Sequence, residues 1–311
     1  MQAAIMASPP ARVLVHLMSP GASAAPQLAN FSQSILDSLN EKKDDANDIH
    51  VNCEFTDRKL VLRSSNPDSG FILRRPPFCP IKCLTEEQRG EIPTDISSRG
   101  VNVGIVALLE SSDRRVLVTR RAQHMRTFPG VWVPPGGGIE DEDGAMLDTA
   151  LRELKEETGL SVRDRVASSD VLCLWESVYP PRLSMGPPKR HHVVVYYHIA
   201  VTATQAVLDD EIKLDPGEVD ASTWLTENQV RLLVEGVEES RALPEDVEKT
   251  FTIKVVDGES MKDIECPTEV LVAKAPLKGS GDIERFSTGT RFALEQWIKR
   301  NESEAVDASK L

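Results

Sequence analysis

The chain has 311 residues, and its 36 basic and 49 acidic side chains give a formal net charge of −13. Its apolar fraction of 40% and charged fraction of 27% are those of an ordinary globular protein, which excludes a collagen-like chain, a coiled-coil rod and a wholly disordered chain. The acid excess argues against a general nucleic-acid coat protein, which needs a basic face to displace counterions, but it leaves room for a small basic pocket.

Residues 1–95 have the pattern of a small α/β extension. Short apolar runs predict strands at residues 13–17, 51–55, 59–63 and 71–74. Apolar residues at helical spacing predict a helix over residues 28–39. The proline-rich residues 75–80 indicate a linker that ends near Gly100. We find no chemical motif in this part, so its role stays open.

Residues 96–240 alternate strands and helices and form the second predicted unit. Apolar runs at residues 101–109 and 116–119, separated by a polar turn, predict a β-hairpin. The same patterns predict strands at 171–175, 192–202 and 221–225, and helices at 144–158 and 227–238. Residues 241–311 form a C-terminal extension with a strand at 250–256 and a helix at 283–299.

Nearly half of the net charge is concentrated in residues 140–157. This segment has eight acidic and two basic residues, a net charge of 2 − 8 = −6. Its helical part aligns three leucines in one apolar stripe: Leu147, Leu151 and Leu154. Three glutamates share a different face: Glu153, Glu156 and Glu157. An acidic run is commonly a solvated helix face, so the spacing must carry any functional interpretation.

Three glutamates near the C-terminal end of a helix are unfavourable in isolation, because like charges repel and the helix dipole disfavours anions there. Divalent cations relieve this repulsion, and Mg²⁺ commonly bridges carboxylates to substrate phosphates. Arg152 is placed to hold one carboxylate through paired hydrogen bonds. Gly137 and Gly138 allow a ligand to approach the backbone closely. The segment therefore predicts a site for Mg²⁺ or Mn²⁺ and a phosphate-bearing substrate.

The segment from Gly138 to Leu160 resembles the Nudix box, the motif of hydrolases that act on nucleoside diphosphates linked to another moiety. The glycine is followed, after thirteen positions, by the run Arg152-Glu153-Leu154-Lys155-Glu156-Glu157-Thr158-Gly159-Leu160. One position departs from the family, because its early glutamate is replaced here by Gly144, directly after Glu142 and Asp143. We expect the departure to affect the loop and the helix start, and to leave the glutamates of the run untouched.

The resemblance implies an α/β/α sandwich with a mixed sheet, and hydrolysis that depends on Mg²⁺ or Mn²⁺. By the same resemblance Glu153 and Glu157 are the principal metal ligands, Glu156 is an additional or water-mediated ligand, and Arg152 orients a glutamate. The general base varies among family members. Glu153 is one candidate, and Glu218, in a Pro-Gly-Glu-Val-Asp turn, is the other.

Narrower resemblances within the family give different substrates. Segments at residues 74–80, 174–192 and 287–294 resemble a branch that hydrolyses the methylguanosine cap of RNA and releases the methylated nucleoside diphosphate. The residues before the box resemble the coenzyme A diphosphatase branch, which makes Arg121 and Arg126 candidate phosphate ligands. A third alternative, supported by Gly144 alone, is a nucleotide-binding module that has lost catalysis.

Candidate contacts for a base and for phosphates lie in one segment. Rings that can stack on a base are those of Trp175, Tyr179, His191 and His192. Basic side chains that can meet phosphates are Arg182, Lys189 and Arg190. The alternative is that the aromatic side chains belong to the core.

The last three residues, Ser309-Lys310-Leu311, match a peroxisomal address that an import receptor reads. Such a location suits coenzyme A better than capped RNA. Without import we expect a cytoplasmic protein, because five scattered cysteines are typical of reduced thiols. The sequence has no run of 18 apolar residues, so we expect no contact with the membrane through a spanning helix.

Overall fold

The computed structural model describes residues 12–18, 25–40, 42, 45–235, 247–258, 260–268 and 285–308. The strands are β1 (Leu14–Leu17), β2 (Gln27–Leu28), β3 (Asp48–Thr56), β4 (Lys59–Ser64), β5 (Phe71–Arg74), β6 (Asn102–Glu110), β7 (Val116–Arg121), β8 (Trp132–Val133), β9 (Gly136–Gly138), β10 (Val166–Tyr179), β11 (Arg190–Val201), β12 (Val219–Leu225), β13 (Thr250–Asp257) and β14 (Ser260–Pro267). The α-helices are α1 (Ile35–Leu39), α2 (Pro80–Cys83), α3 (Glu86–Gly90), α4 (Thr94–Ser97), α5 (Met146–Thr158), α6 (Gln205–Glu211), α7 (Glu227–Glu235) and α8 (Thr288–Ala308). The terminal Ser-Lys-Leu and residues 236–238, the end of a predicted helix, lie outside the described residues.

Hydrogen bonds join the strands into one sheet in the order β14-β13-β12-β7-β6-β11-β10-β5-β3-β4-β1-β2, with β8 on β7 and β9 on β6. The pairs β1–β4, β5–β10 and β6–β11 are parallel. The long pair β10–β11 and the hairpin β13–β14 are antiparallel. The mixed sheet that the family resemblance implied is therefore confirmed.

The N-terminal strands continue the sheet of the following unit. Strand β1 lies between β4 and β6, because Leu14 pairs with Lys59 on one side and with Asn102 on the other. A path from β6 along hydrogen-bonded neighbours therefore leads back to β6 after β11, β10, β5, β3, β4 and β1. Both parts of the chain contribute side chains to one hydrophobic core, including Val15, Leu62, Val103 and Leu174.

Helices cover both faces of the sheet, as the sandwich architecture requires. Alternate residues of β7 point to opposite faces, so that Leu117 packs in the core beneath α5, together with Leu154. Val118 packs in a second core with Leu233 of α7 and Trp297 of α8. Among the described helices, none is both long and apolar enough to cross a bilayer.

The predicted helix over residues 28–39 is wrong in its first half. Helix α1 begins only after Ser34, and Leu28 lies in β2. The carboxylate of Glu176, on the distant strand β10, accepts hydrogen bonds from the first two amides of α1 at 2.9 and 3.1 Å. Local periodicity cannot predict this helix start, because it depends on a buried hydrogen-bond acceptor from a distant strand.

The segment predicted as a linker is instead folded into α2, α3 and α4. Pro80 opens α2 at a position where a helical residue has no intrahelical acceptor for its amide. A small core of its own holds this segment together, and its buried members include Cys79, Ile81, Leu84 and Phe31. The C-terminal helix, predicted for residues 283–299, spans Thr288–Ala308.

A buried polar network fastens the N-terminal segment to β10 and β11. Glu176 accepts a hydrogen bond from the Ser34 hydroxyl at 2.9 Å and lies 3.1 Å from Nε2 of His191. Arg75 donates to Ser34 at 2.7 Å and pairs with Asp37 at 2.6 Å. Burial raises the pKa of Glu176, but its bonds to His191 and the α1 amides outweigh burial and hold the pKa below its ordinary value. The network places the N-terminal segment beside one end of β11.

Candidate active site

Helix α5 carries the acidic cluster, and its end contacts set its position. At the start, the Asp148 carboxylate accepts a hydrogen bond from the Ala145 amide at 2.9 Å. At the end, Gly159 has a left-handed φ of 73°, and its amide donates to the carbonyl of Lys155 at 2.8 Å. A Cβ at Gly159 would lie 3.2 Å from the carbonyl oxygen of Lys213. The glycine that ends α5 is therefore required by both its backbone conformation and the limited space around it.

The acidic cluster consists of Glu153, Glu157 and Glu218. One carboxylate oxygen of each lies within 4.8 Å of the other two. Glu153 and Glu157 are 8% and 2% exposed, whereas Glu218 is exposed in the turn before β12. The Gly136 amide and the Thr119 hydroxyl donate to the Glu157 carboxylate at 3.1 and 3.3 Å. Converging carboxylate oxygens are the type of donor that hard divalent cations prefer.

Burial raises the pKa of two of these carboxyls. The pKa of Glu153 rises to about 7, because burial and the neighbouring carboxylates outweigh the opposing effect of Arg152. The pKa of Glu157 rises to about 8, because burial and the neighbouring carboxylates outweigh the hydrogen bond from the Gly136 amide. A cluster in this state needs either protons or a cation to balance its negative charge.

Arg152 joins the box loop to the acidic cluster. Its guanidinium donates to Glu153 and to Glu156 at 2.9 Å each, and to the carbonyl of Gly138 at 2.6 Å. A further pair of hydrogen bonds reaches the carboxylate of Asp143 at 3.2 and 3.0 Å. The predicted orienting role of Arg152 thus has a geometric basis, since one of its bonds goes to a member of the cluster.

Asp143 holds the loop at the point where the family glutamate is replaced by Gly144. Its carboxylate is buried, and besides Arg152 it accepts hydrogen bonds from the Glu140 amide at 2.9 Å and the Thr149 hydroxyl at 3.0 Å. Burial raises the pKa of Asp143, but these bonds outweigh burial and keep the pKa below its ordinary value. A charged carboxylate therefore anchors Arg152 in spite of the departure from the family pattern.

The two predicted glycines have different structural requirements. A Cβ at Gly137 would lie 2.5 Å from a carboxylate oxygen of Glu153. A Cβ at Gly138 would meet no atom within 4 Å. Only at Gly137, therefore, does the absence of a side chain let a cluster carboxylate lie against β9.

A cleft of about 630 Å³ adjoins β9. Strands β6, β10 and β11 contribute to its lining, together with the N-terminal segment and the start of α8. Its basic lining residues are Arg12, Arg99, Arg121, Lys189 and Arg190. Its aromatic lining residues are Phe31, Phe78, Phe128, Trp175, Tyr179 and Tyr196. Among the described residues that line it there is no aspartate or glutamate, so the cleft suits an anionic ligand that carries a ring.

The predicted ring and arginine residues are divided between the cleft and its surroundings. Trp175 lines the cleft but is 6% exposed and packs on Phe292, with ring centroids 5.7 Å apart. Tyr179 lines the cleft and packs edge-on against Phe128 at 5.3 Å. Arg121 lines the cleft and donates to the carbonyl of residue 127 at 3.1 Å.

Other predicted residues lie apart from the cluster and the cleft. The side chain of Glu156 is 53% exposed and pairs with Arg152, so its role as a metal ligand stays a prediction. Arg126 is exposed, and its carbonyl accepts a hydrogen bond from the Tyr179 hydroxyl at 3.1 Å. His191 is enclosed in the buried network with Glu176, which leaves its ring unable to stack on a ligand.

Asp143, Thr119 and the N-terminal cleft residues were not predicted from the sequence. The sequence has a local signal for Asp143, because this acidic residue directly precedes Gly144, where the family pattern has a glutamate. Arg12 and Phe78 have no such signal, because the strand pairings of β1 and β5 bring them to the cleft.

Comparison with known proteins identifies the family. The NUDIX domain model matches residues 98–246. Three relatives named m7GpppN-mRNA hydrolase NUDT17 match most of the chain. The Danio rerio protein is 42% identical over 299 residues, 94% of this chain and 97% of the relative. The Homo sapiens protein is 40% identical over 260 residues, 80% and 77% of the two chains, and the Xenopus laevis protein is 35% identical over 293 residues, 92% and 95%. The chain therefore belongs to the Nudix hydrolase family and is similar to the NUDT17 proteins over most of its length.

Proposed function

We propose that this Nudix hydrolase cleaves a diphosphate bond in the m7GpppN cap of RNA and releases m7GDP, with Mg²⁺ or Mn²⁺ as cofactor. The observation that carries the proposal is the cluster of Glu153, Glu157 and Glu218 beside a cleft that has five basic residues in its lining. The name m7GpppN-mRNA hydrolase of the relatives supports the substrate. A net charge of −13 disfavours long RNA contacts, so we expect recognition of the cap and first nucleotides.

The donor set fits the proposed cation. Glu153 and Glu157 would hold it through oxygen atoms, the ligands that Mg²⁺ and Mn²⁺ prefer, and the exposed Glu218 lies beside them. When bound, the cation supplies neutralisation of the diphosphate charge and lowers the pKa of a water. The residues of the chain preset the ligand positions, because Arg152 holds Glu153 while an amide and a hydroxyl hold Glu157.

We assign the general base to Glu218. Attack of water on phosphorus needs a carboxylate that takes up the proton. Glu153, the other candidate, already accepts a hydrogen bond from Arg152 at 2.9 Å and lies against Gly137. Glu218 lies within the cluster but is exposed, which leaves its carboxylate accessible to water.

One observation favours a second candidate, hydrolysis of coenzyme A esters. The methylated base of the cap carries a positive charge, and the described lining of the cleft has no carboxylate to balance it. Coenzyme A instead carries a further phosphate besides its diphosphate, which suits a basic cleft. Arg121, a candidate from the coenzyme A branch pattern, lines the cleft.

The deciding experiment presents the full-length protein with capped RNA and with coenzyme A esters in parallel, with Mg²⁺ or Mn²⁺. Release of m7GDP supports the cap proposal, whereas release of a phosphopantetheine product supports the second candidate. A Glu157→Gln variant serves as the inactive control. Inactivity of the wild-type chain on both substrates would favour a nucleotide-binding module.

We propose that the protein is peroxisomal through an import receptor that reads Ser309-Lys310-Leu311. The test is the location of a fluorescent protein fused to the N-terminus, with and without the last three residues. Loss of peroxisomal signal on truncation supports the proposal, and a cytoplasmic signal from both fusions contradicts it.

A further inference from the structure

One end of the cleft gathers basic side chains from two separate segments of the chain. Arg12 precedes β1, Lys189 ends the loop after β10, and Arg190 opens β11. All three are exposed and line the cleft, and no ion pair joins any of them to an acidic residue among the described parts of the chain.

The strand register explains why the three side chains converge. Asn102 of β6 pairs with Leu14 of β1 on one side and with His192 of β11 on the other. This row brings the chain before Leu14 next to the start of β11, where Arg190 pairs with Tyr179.

The convergence has an electrostatic signature at His192. Burial lowers the pKa of its imidazole to about 4, and the neighbouring His191, Arg190 and Arg12 add to the shift in that order. His192 is therefore neutral at physiological pH and adds no charge to this end of the cleft, while its ring nitrogens remain able to form hydrogen bonds.

The distance between the basic end of the cleft and the acidic cluster determines which part of a substrate the basic end can bind. Gly138 pairs with Gly104, and Gly104 pairs with Val194, two residues beyond His192. Two strand spacings and two residues along a strand correspond to about 12 Å between Gly138 and His192. A substrate whose diphosphate lies beside β9 must therefore extend about this distance for another of its groups to reach His192.

We propose that Arg12, Lys189 and Arg190 bind a second phosphate group of the substrate, one that lies outside the phosphate chain that is cleaved. The proposal rests on the diphosphate hydrolysis proposed above. The chain has 49 acidic side chains, yet none of them lies in the described lining of the cleft. A bound anion can therefore neutralise these three cations. In capped RNA the second phosphate is the one after the first nucleotide, and in coenzyme A it is the 3′-phosphate.

The test compares substrates with and without that phosphate: m7GpppGpG against m7GpppG, and coenzyme A against 3′-dephospho-coenzyme A. We expect the wild-type enzyme to have a KM about tenfold lower for the phosphate-bearing member of one pair, the size of one charge-assisted contact. Lys189→Gln/Arg190→Gln should abolish this difference by raising the KM of the phosphate-bearing substrate to that of the shorter one. The matched control is Arg63→Gln, an exposed β4 arginine whose partner, Glu54, lies 3.6 Å away. The pair that shows the difference identifies the source of the phosphate.

Equal KM values within both pairs for the wild type, or a difference that survives in the double variant, would overturn the proposal. Hydrolysis of m7GpppG or dephospho-coenzyme A reports separately on the diphosphate activity. If neither is hydrolysed, binding affinities measured by calorimetry test the phosphate proposal independently of catalysis. In that case adenosine 3′,5′-bisphosphate must bind more tightly than AMP, or pGpG more tightly than GMP, and the double variant must lose the difference; equal binding rejects the proposal.

Discussion

The guanidinium of Arg152 donates two hydrogen bonds to the buried carboxylate of Asp143, at 3.2 and 3.0 Å. Asp143 lies one residue before Gly144, the position at which the family pattern has a glutamate. Because Arg152 also donates to Glu153, the aspartate fixes an arginine that in turn fixes a cluster carboxylate.

We therefore expect Asp143→Asn to impair both stability and activity. Loss of the charged acceptor leaves Arg152 partly unpaired, which should lower the free energy of unfolding by about 1–3 kcal/mol and kcat/KM by about tenfold. Urea denaturation and steady-state kinetics measure the two effects. Asp141→Asn, which removes an exposed partner of Arg58, is the control and should change neither. A variant with wild-type kinetics would show that Arg152 does not need this anchor.

Glu157→Gln should reduce metal-dependent hydrolysis by about 100-fold or more, because a lost ligand removes several kcal/mol of charge stabilisation. The fold should persist, since the amide oxygen can still accept the hydrogen bond from Gly136 while the amide NH2 donates to the Thr119 hydroxyl. Glu156→Gln should retain more activity than Glu157→Gln, because Glu156 lies outside the cluster. Product release with Mg²⁺, together with circular dichroism, checks both variants. Equal losses would place Glu156 in the metal site.

The stabilisation that Mg²⁺ provides should increase with pH. The pKa values of Glu153 and Glu157 are raised to about 7 and about 8, so the metal-free fold holds protons that the unfolded chain releases near its ordinary carboxyl values. The metal-free protein thus loses stability as the pH rises from about 4.5 through 8. Mg²⁺ binds the deprotonated cluster, so its addition should raise Tm more at pH 8 than at pH 6.

Differential scanning calorimetry with and without Mg²⁺ at both pH values measures this effect. The same scans on Glu157→Gln should show a smaller dependence. A Tm gain that is independent of pH would mean that protons and Mg²⁺ do not compete at this cluster.

Gly137→Ala and Gly138→Ala form a matched pair. The new Cβ at position 137 would lie 2.5 Å from a Glu153 carboxylate oxygen, whereas that at 138 meets nothing within 4 Å. The Glu153 side chain can swing away, so we expect Gly137→Ala to fold but to lose about tenfold or more in activity through a displaced carboxylate. Gly138→Ala should remain active. Activity assays at saturating Mg²⁺ test this, and similar losses in both variants would contradict it.

Glu218→Gln should lower kcat more than it changes KM, because its proposed role is proton transfer rather than substrate binding. Steady-state kinetics at saturating Mg²⁺ measure both parameters. Glu211→Gln, an exposed glutamate paired with Arg165, is the control. An unchanged kcat would return the base assignment to Glu153.

The box helix and its metal-facing residues could be predicted from the sequence because they depend on local periodicity. Glu153 and Glu157 are four residues apart, so any α-helix over this segment puts both on one face. Gly159 ends the helix through its own backbone conformation. The family resemblance covers these same neighbouring positions, which is why the mixed sheet and the hydrolase family followed from the sequence.

Contacts between distant segments were decided by the tertiary structure alone. The start of α1 depends on Glu176 from β10, and the basic end of the cleft depends on the pairing of β1 with β6. Glu218 completes the cluster because its turn hydrogen-bonds to the segment after β7, through the Ala122 amide and the Glu218 carbonyl at 2.8 Å. Local sequence encodes the spacing of residues along one element, whereas the register between strands arises from packing of the whole core and brings these residues together.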